Sequence, residues 1–254
     1  MKTYEQGKVT AANLLSEGIY ELFIETEAAK AAVPGQFVMV YPKGRDLLLP
    51  RPISICEVRD NTLRLVYRVA GKGTAEFSEY KEGTLVRVLG PLGNGFPTEE
   101  AKGNVVLMGG GIGIPPLLEL SKNLSAKKVT MVAGYRDNNL FLKEDFDKYA
   151  HTEIATEDGS VGVKGNVLDV MRERSIPCDV IFACGPMPML RAIKKFAEER
   201  GIKAYISLEE RMACGVGACL GCVCKTVNKD AHSHVNNARV CTEGPVFLSS
   251  EVDI

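Results

Sequence analysis

Short runs of apolar residues, broken by Gly, Pro, Asn and Asp, fill the first 98 positions: "KVTAANLL", "IYELFIET", "QFVMVYP", "RPISICEV", "TLRLVYRVA" and "GTLVRVLG". Val, Ile, Tyr and Phe dominate them, so they predict antiparallel strands of a small barrel or sandwich. After "GPLGNGFPTEEAKG" (90–103) the period changes. "NVVLMGG", "KVTMVAGYR", "TEIATED", "CDVIFACG" and "KAYISLE" read as buried strands, and "PPLLELSKNL", "FLKEDFDKYA", "NVLDVMRER" and "PMLRAIKKFAEER" as the helices between them. In the last of these, Leu190, Ile193, Phe196 and Ala197 share one face, and Gly201 suits the position after its end. Alternating βα units predict a doubly wound parallel sheet. From about Leu208 the chain is rich in Cys and Gly and poor in large apolar groups. A piece that short lacks the core to stand alone and calls for a metal or another staple. The fold class is therefore multi-domain, β followed by α/β: a barrel over 1–98, a nucleotide-type α/β domain over 99–207 and a small module over 208–254.

The 254 residues are 45% hydrophobic and 25% charged, which is globular, with a net charge of −1. No basic block stands out, so nucleic acid is not an expected partner. "MKTYEQGKVT" lacks a signal-type apolar stretch, and the longest apolar run, "VVLMGGGIGIPPLL", is shorter than the ~18 residues of a membrane span. A cytoplasmic chain without membrane attachment is the expectation. In that reducing setting, clustered cysteines point to metal or redox chemistry rather than to disulfides.

Four of the eight cysteines crowd into "CGVGACLGCVC". Cys214, Cys219 and Cys222 have the C-x4-C-x2-C spacing of plant-type [2Fe–2S] proteins, and Cys241 in "ARVCTEGP" follows as a distant fourth. Gly215, Gly217 and Gly221 let the backbone wrap closely enough for amide N–H groups to face sulfur. Cys224, two residues past Cys222, competes with Cys241; Cys241 is preferred because it closes the loop from the far side. A structural zinc site is the competing reading, although no His stands at a ligand-like spacing. His232 and His234 read as a polar loop tip, and Cys56 and Cys178 as small buried apolar groups.

Two further constellations carry chemistry. In "RPISI", Arg51 offers a rigid fork for a phosphate and Ser54 a small hydroxyl beside a ring system. In "GKGT", Gly73 and Thr74 open a helix start, where an anion is favoured. "GGGIGIPPL" places Gly109, Gly110, Gly111 and Gly113 at a strand-to-helix turn suited to a pyrophosphate, with Ile114 where a third fingerprint glycine would stand. The next strand ends in "GYRDNN", which puts Arg136 and Asp137 at that edge. "ACGPMPML" repeats the turn, with Cys184, Gly185 and Pro186 at the carboxyl end of a parallel strand.

In this order, "RPIS", "GGGIGIPPL", "CGP" and "MACGVGACLGC" with "CTEGPVF" resemble the ferredoxin–NADP reductase superfamily carrying an appended iron–sulfur module, over nearly the whole chain. Within it the chain looks most like the electron-transfer subunits of bacterial type B dihydroorotate dehydrogenases. The resemblance implies FAD in the barrel, NAD in the α/β domain and a [2Fe–2S] cluster in the tail. It implies FAD contacts from Arg51, Pro52, Ile53 and Ser54, from Val66, Tyr67 and Arg68, and from Gly73 and Thr74. Cluster ligands would be Cys214, Cys219, Cys222 and Cys241. It also implies an FMN-containing catalytic partner, in a heterotetramer of two plus two, that oxidises dihydroorotate in pyrimidine biosynthesis. The cofactors carry the redox chemistry, so no acid or base residue is assigned. The competing activities are the small subunit of an NADH:ferredoxin-type or sulfide-type flavin oxidoreductase and, outside enzymes, a metal-stapled binding protein or redox sensor.

Overall fold

The structure is a computed structural model that describes residues 2–44, 46–125, 127–229 and 234–254. Six strands make the first unit: β1 (Thr3–Ser16), β2 (Ile19–Glu25), β3 (Phe37–Tyr41), β4 (Arg51–Arg59), β5 (Thr62–Arg68) and β6 (Leu85–Leu92), with helix α1 (Lys72–Ser78) before the last. They close an antiparallel barrel in the order β1-β2-β5-β4-β3-β6, in which β6 pairs back onto β1. Closure pairs every strand on both sides over part of its length, and β4 runs on past β3 beyond Ser54. Alternation along each strand sorts the side chains. Ile53 and Ile55 of β4 and Leu63, Leu65 and Tyr67 of β5 fill the barrel with Phe77 of α1. Cys56 and Val66 lie on the outer face, in a core shared with the second unit.

That second unit runs β7 (Val105–Gly110), α2 (Pro116–Asn123), β8 (Val129–Tyr135), α3 (Lys143–Phe146), β9 (His151–Thr156), β10 (Val163–Lys164), α4 (Val167–Glu173), β11 (Val180–Cys184), α5 (Met187–Arg200) and β12 (Lys203–Ser207). Caps set its helix ends. Asn166 accepts from the Leu168 amide at 2.9 Å while Asp169 accepts from the Asn166 amide, also at 2.9 Å, which starts α4. Gly201, at φ 64°, ends α5, whose buried face is Leu190, Ile193, Phe196 and Ala197 as the spacing predicts. The stretch 141–150 departs from expectation. Leu142 takes a left-handed φ of 65°, and only the single turn of α3 forms after it.

The sheet order is β10-β9-β8-β7-β11-β12-β15. The chain reverses its winding between β7 and β11, and open α/β sheets bind ligands at such a switch point. The last strand in that order comes from the tail, which contains β13 (Val223–Lys225), β14 (Asn237–Arg239) and β15 (Val246–Leu248). β15 pairs antiparallel with β12, while β13 and β14 form a separate two-stranded ribbon. The tail is thus woven into the sheet of the α/β unit. It is also fastened to the barrel, where the Asn94 amide donates to the Gly244 carbonyl at 2.6 Å; within the tail, the Leu208 amide donates to the Pro245 carbonyl at 2.9 Å. Among the described residues no helix is long and apolar enough to cross a membrane.

Gly93 makes the tightest part of that fastening. It has φ 73°, and a Cβ there would stand 2.5 Å from Pro245 Cδ and 2.7 Å from the Gly244 carbonyl oxygen. Gly93→Ala is expected to lower unfolding stability by about 2–4 kcal/mol, combining backbone strain with overpacking. Gly83→Ala, at φ 85° with nothing within 4 Å, is expected to cost about 1 kcal/mol. Urea denaturation of the two variants measures the difference, and equal losses would contradict the close contact.

Candidate functional site

The segment between β12 and β13 has no regular structure of its own and rests on its neighbours. Gly215, at φ 70°, lies so close to the barrel that a Cβ would meet Met39 Cγ at 2.7 Å and Leu92 Cδ1 at 3.1 Å. Gly217, at φ 83°, turns the loop beneath Thr242. Leu220, at φ 56°, makes the outward tip and is 63% exposed.

This winding aims amides at sulfur. The Val216 and Cys219 amides each donate to Cys214 Sγ at 3.4 Å, and the Gly221 amide donates to Cys219 Sγ at 3.4 Å. Burial opposes ionisation of Cys214, yet these amides and the Cys219 thiol outweigh it and bring the Cys214 pKa down to about 6. Cys241 is pushed up to about 11, first by burial and then by its hydrogen bond with the Cys222 thiol; the Gly217 amide acts the other way. The four thiols therefore stand as two contacting pairs, Cys214 with Cys219 and Cys222 with Cys241, and Cys214 is near enough to Cys241 to act on its charge.

Among the described residues, no three His, Cys, Asp or Glu side chains converge on a point that would hold one ion. Thiols faced by backbone amides in a tight glycine loop would hold an iron–sulfur cluster, whose sulfur atoms need such N–H donors. A buried Thr242 hydroxyl with no partner among the described residues lies beside the same loop. The donor set and its cradle thus fit an iron–sulfur cluster. Cys224 is the remaining thiol of this stretch. It sits in β13 opposite Ala238, and burial, the largest influence, raises its pKa, with Glu210 and Cys222 adding smaller effects. His234 has φ 55°, and His232 lies outside the described residues.

On the barrel, the sequence-selected residues divide by face. Ser54 and Val66 point outward from β4 and β5, and Arg68 is exposed at the end of β5. Pro52 and Arg51 are partly exposed at the start of β4. Ile53 and Tyr67 point into the barrel core, so they offer a ligand backbone groups and no side chain. This inward placement follows from the two-residue period. Arg51 is braced by its donation to the Leu49 carbonyl at 2.7 Å, and Gly73 of α1 admits its guanidinium, since a Cβ there would stand 2.6 Å from Arg51 Nε. Thr74 is not a free hydroxyl. It accepts from the Ala70 amide at 2.9 Å and donates to the Gly71 carbonyl at 3.0 Å, so it ties the turn and leaves first-turn amides to face a phosphate.

At the switch point the glycines permit contacts that a side chain would block. A Cβ on Gly113 would stand 2.4 Å from the Cys184 carbonyl oxygen, one on Gly110 2.7 Å from Met189 Sδ, and one on Gly185 2.3 Å from Met189 Cε. Gly109 pairs with Cys184 across β7 and β11 and packs on fully buried Ile114, which takes up the space of the missing third glycine. Gly111, at φ 53°, faces Arg68 Nη2 with its would-be Cβ at 3.7 Å. The outer barrel face and the glycine turn therefore meet. Pro186 caps α5. Burial pushes the Cys184 thiol up to about 12, against a smaller opposing effect of Ser207, so it stays neutral near pH 7. Asp137 accepts from both the amide and the side chain of Asn139, at 2.9 and 2.7 Å, and Arg136 is exposed beside it. Sequence reasoning missed Met189, whose apolar spacing along α5 gave no sign that it roofs two glycines.

Comparison with known proteins accords with this geometry. Residues 209–253 match the iron–sulfur cluster binding domain of dihydroorotate dehydrogenase B. The chain is 44% identical over 259 residues to the dihydroorotate dehydrogenase B (NAD(+)) electron transfer subunit of Shouchella clausii, covering 98% of each chain. It is 45% identical over 248 residues to that of Bacillus mycoides, covering 94% of each. Among solved structures, the NADH-dependent reduced ferredoxin–NADP oxidoreductase aligns with TM-score 0.87 and 29% identity, covering 97% of this chain and 89% of that one. A ferredoxin–NADP+ reductase from Neisseria gonorrhoeae with bound FAD and NADP shares the fold, at TM-score 0.67 and 14% identity over 82% of this chain and 94% of that one. The chain belongs to the family of dihydroorotate dehydrogenase B (NAD(+)) electron transfer subunits.

Proposed function

We propose that this chain carries electrons from dihydroorotate, oxidised at FMN on a catalytic partner subunit, through a [2Fe–2S] cluster and FAD to NAD+, as the electron-transfer subunit of a two-plus-two heterotetramer in the cytoplasm. One observation carries the reading. The cysteine loop rests on the barrel at Met39 and Leu92, and the barrel meets the glycine turn at Arg68 and Gly111, so three cradles adjoin in series. When bound, the flavin exchanges electrons singly with the cluster and in pairs with nicotinamide.

The chain's own residues supply binding and order. Arg51, admitted by Gly73, holds a flavin phosphate, while Ser54, Val66 and Arg68 face its ring system. Gly109, Gly110, Gly111 and Gly113 admit the pyrophosphate of NAD, with Cys184, Gly185 and Pro186 closing the switch point. Cys214, Cys219, Cys222 and Cys241 are the cluster ligands, and the Val216, Cys219 and Gly221 amides offset thiolate charge. The similarity to the ferredoxin–NADP oxidoreductase favours one second reading, in which the partner delivers electrons from ferredoxin or NADPH.

The deciding experiment is to purify the tagged chain anaerobically with its bound partner and record the visible spectrum after adding dihydroorotate and then NADH. Bleaching of flavin and cluster by dihydroorotate supports the first reading. Bleaching by NADH or NADPH alone, in a preparation that retains its partner, overturns it in favour of the second. Three variants refine the assignment. Cys219→Ser is expected to lose cluster absorbance and iron and to weaken partner binding. Cys224→Ser is expected to keep both, and iron loss there would reverse the choice between Cys224 and Cys241. Gly73→Ala is expected to weaken FAD binding at least tenfold, roughly 1.4 kcal/mol, by displacing Arg51; a flavin titration of the apoprotein measures it.

A further inference from the structure

A buried ionic cluster joins the barrel to the α/β unit away from the cofactor cradles. Arg64 of β5, its side chain 6% exposed, donates through Nε to Glu21 of β2 at 2.7 Å. Its Nη1 reaches Glu57 of β4 at 3.3 Å and, across the junction, Asp145 of α3 at 2.9 Å. Arg59 shares Glu57 at 2.8 Å, and Lys148 shares Asp145 at 2.6 Å. Both Arg59 and Arg64 stack over Phe23, 5.4 and 5.7 Å from its ring centre.

Beside this cluster α2 takes the place of a strand. β3 pairs with β4 only from Arg51 to Ser54, and a bulge follows between Ile55 and Glu57. Past that point the free side of β4 is taken by two side chains of α2. Glu119 accepts the Val58 amide at 2.8 Å, and Lys122 donates to the Val58 carbonyl at 2.6 Å. A charged hydrogen bond on each backbone group of one residue fixes both the height and the angle of the helix.

The placement connects the two cradles. Val58 stands four residues from Ser54 on one strand, and Arg64 four residues from Arg68 on the next. Helix α2 starts three residues after Gly113 and spans about 12 Å at 1.5 Å per residue. The same rigid elements that bear the flavin face and the glycine turn are bolted to each other here.

We propose that Arg64, Asp145, Glu119 and Lys122 are positioning residues for hydride exchange: the clamp holds the glycine turn against the flavin face at the separation the transfer needs. The proposal rests on the functional reading above. In the step concerned, NADH gives up two electrons and one hydrogen nucleus as hydride and becomes NAD+, and the flavin accepts them and takes a further proton from solvent; physiological flow runs in reverse. Approach distance governs such transfers, and small misplacements are costly.

The test uses the chain in its complex with the catalytic partner. Asp145→Asn and Lys122→Met remove clamp charges at the less buried positions, and Arg64→Lys is the conservative control. Rapid mixing with saturating NADH is compared with rapid mixing with dihydroorotate, alongside FAD content and the long-wavelength absorbance of stacked nicotinamide and flavin. The expected result is at least a tenfold slower reduction by NADH and a weaker stacking band. Reduction by dihydroorotate stays within twofold, FAD content is unchanged, and Arg64→Lys lies in between. Unchanged NADH reduction, or equal slowing with both reductants, overturns the proposal. If NADH fails to reduce the parent complex, the functional reading falls instead. Amide exchange at Val58 and along α2 then decides the clamp: faster exchange in Lys122→Met supports it, and unchanged exchange overturns it.

Discussion

The structure depends on close approaches between units that only glycine permits. Gly215 seats the cysteine loop on the barrel floor, Gly93 seats the turn after Cys241 on the barrel's exit, and Gly113 brings the nucleotide turn onto β11. None of these contacts involves much apolar area. Each removes a few ångströms of side chain from between two units that must exchange electrons. Protein interiors pack densely and tolerate added methyl groups poorly, so these positions fix separations that a larger residue would force open.

The tail shows how a segment without a core becomes ordered. Its three strands have three residues each, too few to hold a sheet unaided. Order comes from outside: β15 borrows the edge of β12, the Asn94 amide and side chain hold the Gly244 and Glu243 carbonyls, and the cysteine loop lies on Met39. Arg239 links the parts from within, bonded to Glu243 along its own turn and reaching the Gly217 carbonyl at 3.5 Å.

Local chemistry was legible in the sequence, and long-range chemistry was not. The strands around "RPISI" and "TLRLVYR", the glycine turn of β7 and the four cysteines each announce themselves by spacing within a few residues. Period alone also sorts Ser54 outward and Ile53 inward once β4 is known to be a strand. The Arg64 cluster has no such signal. Glu21, Glu57, Arg64, Glu119, Lys122 and Asp145 are scattered across the chain, and each reads singly as an ordinary surface charge. Only closure of the barrel and docking of α2 bring them together. The helix expected over 141–150 shortens to α3 for a local reason: Leu142 turns left-handed and buried Phe146 ends the turn in the core.

The edge position of β15 ties the cysteine loop to the protection of the sheet's edge. β15 begins five residues after Cys241 and is the strand that pairs with the outer side of β12. That cover is held by its backbone ladder to β12 and by buried Val246 and Phe247, and the turn that leads into it begins at Cys241. When the cover lifts, β12 presents a row of unpaired amides and carbonyls, a template on which another copy can add a strand.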